Sequence, residues 1–163
     1  METVEKVIRE IEAAFREVPL GTITLHAAEL MDRYSATEAD RRSARDLDQE
    51  RDWRDVPDAS IRECPNALSF LDPVSWRFYL PAYIRYGLRH LTASCVDAAI
   101  YSLDPAGIRQ HEPATEERFR TLDSGQARAI CAFLAFASQS GEWCDDTFAK
   151  EALDDYWRER GGV

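Results

Sequence analysis

An all-α fold is predicted for these 163 residues, and three observations predict it. Apolar residues recur at three- and four-residue steps, the repeat of one helix face, in several separate segments. Helix-starting residues stand at the heads of those segments: Thr3, the pair Asp72-Pro73, and Asp123-Ser124. Six of the 17 aromatic residues fall between Phe70 and Tyr86, on a stretch whose apolar face also repeats helically. The expected architecture is a compact single-domain helical bundle over residues 1–163. It has about six to seven helices, a central helix kinked at Pro81, and room for one short extended piece.

The length suits one hydrophobic core closed without metals or disulfides. With 45% apolar residues the composition is not that of a disordered chain. A formal net charge of −10 excludes a generally basic nucleic-acid binder. The longest wholly apolar run, Ala129 to Ala137, is too short to span a bilayer, and the acidic, amphipathic start has no secretory character. The four cysteines, Cys64, Cys95, Cys131 and Cys144, lack the close pairing of a zinc site, and Cys95 and Cys131 sit in apolar runs. Reduced thiols in a cytoplasmic protein are expected. Membrane and nucleic-acid partners are not.

Taken in order, Val4, Val7, Ile8, Ile11, Ala14, Phe15 and Val18 share one face of a first helix, capped by Thr3 and ended by Pro19 and Gly21. Residues 22–34 read as a brief extended piece followed by a short helix capped at Thr24. Residues 35–50 open on Thr37-x-x-Asp40, a relative of the capping box. That segment is polar nearly all round, with Glu38/Arg42 and Arg42/Asp46 spaced to pair and Ala39, Ala44 and Leu47 as its apolar contacts. A Trp-bearing connection, residues 51–65, is anchored by Trp53, Val56 and Ile61, with a short helical turn at Ala59 to Cys64. From Asp72-Pro73 the hub begins, with Trp76, Leu80, Tyr83, Ile84, Gly87, Leu88 and Leu91 on one face. Pro81 breaks a backbone bond within it, which predicts the kink or two abutting helices. Residues 95–103 form another helix, with a strand as the alternative. Residues 107–117 read as a loop. A helix from Asp123 or Ser124 to Ser138 turns Ala127, Ile130, Cys131, Leu134 and Phe136 inward. The last, opened by Asp145, Asp146 or Thr147, presents Phe148, Ala152, Leu153, Tyr156 and Trp157 and frays at Arg160-Gly161-Gly162.

The run LSFLDPVSWRFYLPAYIRYGLRH, with IEAAF before it and RFRTLDSGQARAICAFLAF and DDYW after it, resembles a family of uncharacterised bacterial proteins, a domain of unknown function. The shared block is LSFLxPxxxRxYLPAY, and the pieces occur in the expected order along nearly the whole chain. The resemblance implies a small soluble protein with no assigned activity, so it carries over no catalytic residue.

The residues themselves offer few chemical constellations. His26 and Glu29, at i,i+3, are the candidate metal pair, but two ligands fall short of a first shell and no second such pair exists. No metal or other cofactor is expected. His90 and Cys95 would need a turn between them to pair, and no nucleophile motif or phosphate-cradling loop is present. Asp145-Asp146 suits helix capping better than acid–base work. Arg77, Pro81, Arg85 and Arg89 form an i,i+4 series beside Tyr79 and Tyr86, so Arg77, Tyr79, Arg85 and Arg89 are the candidate binding residues for an anion or an acidic segment. The opposing expectation is that these arginines pair with carboxylates and lay their stems over the aromatic core. The leading functional expectation is a non-enzymatic acidic interaction or accessory protein that binds another macromolecule, since residues 142–159 hold seven acids against Lys150 and Arg158. The alternatives are a small metal-assisted hydrolase using His26 and Glu29, and a small anionic-ligand binder at Arg77, Arg85 and Arg89.

Overall fold

Every regular element is helical in the computed structural model, which describes residues 3–33, 35–141 and 143–163. Tyr34, the end of the expected 22–34 segment, and Glu142, one of the counted acids, lie outside the described residues. Helix α1 (Val4–Ala14) starts where the Thr3 hydroxyl accepts the Lys6 N–H at 3.2 Å. It buries Val7, Ile8, Ile11 and the following Phe15. The expected extended piece at 22–24 is not a strand. The Asp72 carboxylate takes the Thr22 and Ile23 N–H groups and ties that segment to the head of the central helix. Helix α2 (Leu25–Leu30) follows; Thr24 precedes it, but its hydroxyl makes no cap bond and is buried without a partner among the described residues.

Helix α3 (Glu38–Asp46) carries a complete capping box between Thr37 and Asp40. Its ion pairs differ from those expected: Glu38, at the helix start, reaches forward to Arg41 and Arg45 rather than to Arg42. Ala44 is buried, whereas Ala39 and Leu47 face solvent because α3 packs chiefly on the short α2. A 3₁₀ turn (Trp53–Asp55), helix α4 (Asp58–Glu63) and a second 3₁₀ turn (Ala67–Ser69) complete the connection. Trp53, Val56 and Ile61 anchor it as expected, and the Trp53 indole donates to the Phe15 carbonyl at 2.7 Å.

Helix α5 (Pro73–His90) is the hub, buried on nearly all sides from Phe78 to Leu88. Asp72 caps it through the Val74 and Ser75 N–H groups. It runs as one helix through Pro81, so two abutting helices are not formed. A mid-helix proline costs about 3 kcal/mol, and the apolar burial around it offsets that cost. Leu91, expected inward, instead closes the helix in the left-handed region at φ 48° and is exposed.

Helix α6 (Ala93–Ser102) folds back on α5; a Cβ at Gly87 would lie 2.5 Å from Val96 Cγ2, so only glycine permits this approach. The segment 107–117 is not a loop: α7 (Ala106–Arg109) and α8 (Pro113–Arg120) occupy it, with Pro113 in the first turn of α8, where no N–H is needed. Helix α9 (Ser124–Ala137) has a capping box between Asp123 and Gln126 and packs on α1. Phe133 is its fully buried ring, while Phe136 is half-buried. Asp145 caps α10 (Asp146–Ala152), which passes through a π-helical turn (Leu153–Trp157) into α11 (Arg158–Gly161). The expected fray is absent up to Gly161, which is buried against Cys131. There the Cys131 thiol donates to the Trp157 carbonyl and the Trp157 indole to the Leu103 carbonyl at 2.8 Å. Among the described residues no helix is long and apolar enough to cross a membrane.

Candidate functional site

The arginine series on α5 is engaged inside the chain. Arg77 Nε donates to Gln126 Oε1 at 2.9 Å, and Gln126 Nε2 in turn donates to the Ala14 carbonyl at the end of α1. Arg85 lies 4.8 Å above the Trp53 ring, donates to the Arg54 carbonyl at 2.8 Å, and sits 3.8 Å from Glu12. Arg89 shares the same Glu12 oxygen at 3.2 Å. Burial pushes the Arg85 guanidinium down, Arg89 adds to the shift, and Glu12 opposes it. Tyr79 is inside the core, its hydroxyl pushed up by burial. The three arginines therefore pin α5 to α1, α9 and the first 3₁₀ turn, Tyr79 is a core residue, and none of the four lines either of the two cavities described below.

His26 is brought to partners that its sequence neighbours do not announce. Its backbone N–H donates to Asp48 Oδ2 at 2.9 Å, and its ring Nδ1 meets Asp48 Oδ1 at 2.7 Å. Asp48, 5% exposed, thus supplies the cap that Thr24 does not give α2. The other ring nitrogen, Nε2, points towards Glu63 at 3.6 Å. Glu29 turns elsewhere, taking the Asn66 N–H at 2.9 Å and its side-chain amide at 3.2 Å. Among the described residues no three His, Cys, Asp or Glu side chains are placed to hold a metal ion. His26, Glu29 and Glu63 line a groove of about 700 Å³ between α2, α3 and α4, whose other walls include Leu30, Ala36, Ala44 and Leu47.

The thiols do not form a nucleophilic centre. His90 pairs with Asp58 at 2.8 Å and packs on Tyr86 instead of meeting Cys95. All four cysteines are free and buried, and burial pushes each thiol up, Cys64 to about 12. Asp145, as expected, caps a helix, and it also accepts the Tyr101 hydroxyl at 2.8 Å.

Residues that sequence reasoning passed over carry the remaining polar geometry. Asp48 and Glu63 complete the surroundings of His26, and nothing in their spacing ties them to it. A second cavity, about 760 Å³, opens between the second 3₁₀ turn, α6, α7 and α8, with Asp97, Asp104, Glu112 and Arg118 on its walls. Its signal was masked by the expectation of a loop at 107–117. No curated protein and no solved structure matches the chain. A family model does, over residues 3–161, nearly the full length. The chain belongs to DUF6714, a family of unknown function.

Proposed function

We propose that this chain is a non-enzymatic accessory protein whose groove between α2, α3 and α4 seats a basic, apolar segment of another protein. The make-up of that groove carries the reading: Leu30, Ala36, Ala44 and Leu47 supply apolar contact, while Glu29, Asp40 and Glu63 outnumber the single cation Arg33 on its walls. Leu47 is 62% exposed, and covering a leucine contributes about 1.5–3 kcal/mol. The net charge of −10 would steer a basic partner to the surface and speed its encounter. Four free cysteines, all buried, support a reducing compartment, and we place the protein in the cytoplasm.

The other readings draw less support. A metal-assisted hydrolase at His26 and Glu29 asks for a carboxylate whose two oxygens already hold Asn66. An anionic-ligand site at Arg77, Arg85 and Arg89 asks for guanidiniums already engaged by Gln126, the Arg54 carbonyl and Glu12.

The test is fluorescence anisotropy with a labelled amphipathic peptide of lysine and leucine, beside its glutamate–leucine counterpart. The lysine peptide should bind, and Leu47→Asp should weaken it about tenfold, the loss of roughly 1.4 kcal/mol. Equal binding of both peptides, or no effect of Leu47→Asp, would overturn the reading.

A further inference from the structure

The cavity between the second 3₁₀ turn, α6, α7 and α8 is a separate feature from the groove, and it holds charges that the fold leaves uncompensated. Arg118, half-buried on α8, donates through one terminal nitrogen to the carbonyls of Ser69 at 2.9 Å and Leu71 at 3.1 Å. Those two bonds fix the guanidinium. Its Nε and its other terminal nitrogen have no partner among the described residues. Neither nitrogen is fully enclosed. No carboxylate stands within ion-pair distance of Arg118 among the described residues, and burial pushes its guanidinium down, with Asp72 opposing at longer range. Two carbonyls orient this cation without neutralising it.

Other residues that line the same cavity carry the opposite sign. Asp97, half-buried on α6, spends Oδ1 on the Asp145 N–H at 2.8 Å. Asp104, half-buried after α6, spends Oδ1 on the Ala106 N–H at 2.8 Å. Each keeps a second oxygen, and neither has a cation within ion-pair distance among the described residues. Glu112 adds a third carboxylate on the rim, bonded to the Thr115 hydroxyl at 3.3 Å. The walls are held close by Gly107, where a Cβ would lie 2.6 Å from Thr115 Cβ. At about 760 Å³ the space is within the ordinary range for small-molecule sites.

We propose that this cavity binds a basic amino acid, with Arg118 receiving its carboxylate and Asp97 and Asp104 its cationic nitrogens. A charge held partly out of water without a counter-charge is unfavourable, and a ligand that supplies the counter-charge removes that penalty. One cation facing a majority of carboxylates selects a molecule with one carboxylate and surplus positive charge. A simple anion would meet three repelling carboxylates, and a simple diamine would leave Arg118 unanswered.

The experiment is isothermal titration of the full chain with L-lysine, L-ornithine and L-arginine, beside cadaverine, which is lysine without its carboxylate, and L-glutamate. At least one basic amino acid should bind, with cadaverine and glutamate at least tenfold weaker. Arg118→Gln should abolish the preference for lysine over cadaverine, and Asp97→Asn or Asp104→Asn should weaken lysine by fivefold or more. Leu47→Asp, in the separate groove, should leave these affinities unchanged, which keeps this result independent of the peptide test. The lysine–cadaverine comparison on the unmodified protein decides the matter even where a variant fails to fold. Absence of binding by all three basic amino acids, or cadaverine equal to lysine, would overturn the proposal.

Discussion

Asp72 is the residue on which the most local order converges. One carboxylate takes the N–H groups of Thr22, Ile23, Val74 and Ser75 and the Ser75 hydroxyl, so it caps α5 and fastens the 22–23 segment at once. Gly21 makes room for it, since a Cβ there would lie 2.6 Å from the Ser75 nitrogen. Burial works to raise the Asp72 carboxyl, but the hydrogen bonds from Ile23, Ser75 and Thr22 outweigh it, and the group titrates below its ordinary 3.8. A depressed carboxylate stabilises the fold above the unfolded value and loses that contribution as pH falls through the folded one. Asp72→Asn should therefore cost about 1.5–3 kcal/mol at pH 7, the range for bonds to a charged acceptor, and progressively less below pH 3.8. Urea unfolding of both proteins at pH 7 and pH 3 measures it; a gap that does not narrow at pH 3 would count against this account. The helix-start role of Asp72 is legible in the sequence, because Asp before Pro is a local signal. Its bonds to Thr22 and Ile23 are not, because they cross about fifty positions of chain.

At the level of elements, α1 and α5 are joined by a shared anion. Glu12 stands within ion-pair distance of both Arg85 and Arg89, and Arg85, 8% exposed, also keeps the Arg54 carbonyl and the Trp53 face. Removing the Glu12 charge leaves two guanidiniums facing each other, one of them buried. Glu12→Gln should cost about 1–3 kcal/mol, more than an exposed pair, and adding Arg89→Gln should recover part of it. A double-mutant cycle from thermal unfolding tests this, and simple additivity of the two changes would refute the shared-anion account. Element existence was readable where an apolar stripe and a cap coincide, as at Thr3, Asp72-Pro73 and Asp123. It was not readable for α7 and α8, whose buried members reduce to Gly107 and Phe119, too few to show a period. At Pro81 the local penalty is real, but the packing of Phe78 to Leu88 keeps α5 one helix through it, which removes only the alternative of two abutting helices.

For the whole molecule, the aromatic hub expected between Phe70 and Tyr86 extends to the far end of the chain. Trp76 packs on Phe119 at 6.0 Å and Phe119 on Trp157 at 4.7 Å, so α8 and the π-helical turn close over α5. This one apolar cluster takes in residues from Val7 to Trp157. Periodicity marks most of the residues that lie inside, though Leu91 turns outward and Phe133 takes the place expected of Phe136, but it does not show which polar groups meet. The contacts of His26 with Asp48, and the surroundings of Arg118, arise only when separate helices dock.

The placement of Cys64, Cys95, Cys131 and Cys144 inside that cluster gives the protein a built-in clock. An alkylating reagent meets each sulfur only when the surrounding helices part, so modification reports opening rather than intrinsic reactivity. Iodoacetamide at pH 8 should label the folded chain at least a hundredfold more slowly than the urea-unfolded chain, as followed by intact mass. A single site reacting at the unfolded rate would expose a helix that breathes on its own. Uniform protection would mean that the bundle opens as one unit, and the labelling half-life would then time its least frequent motion.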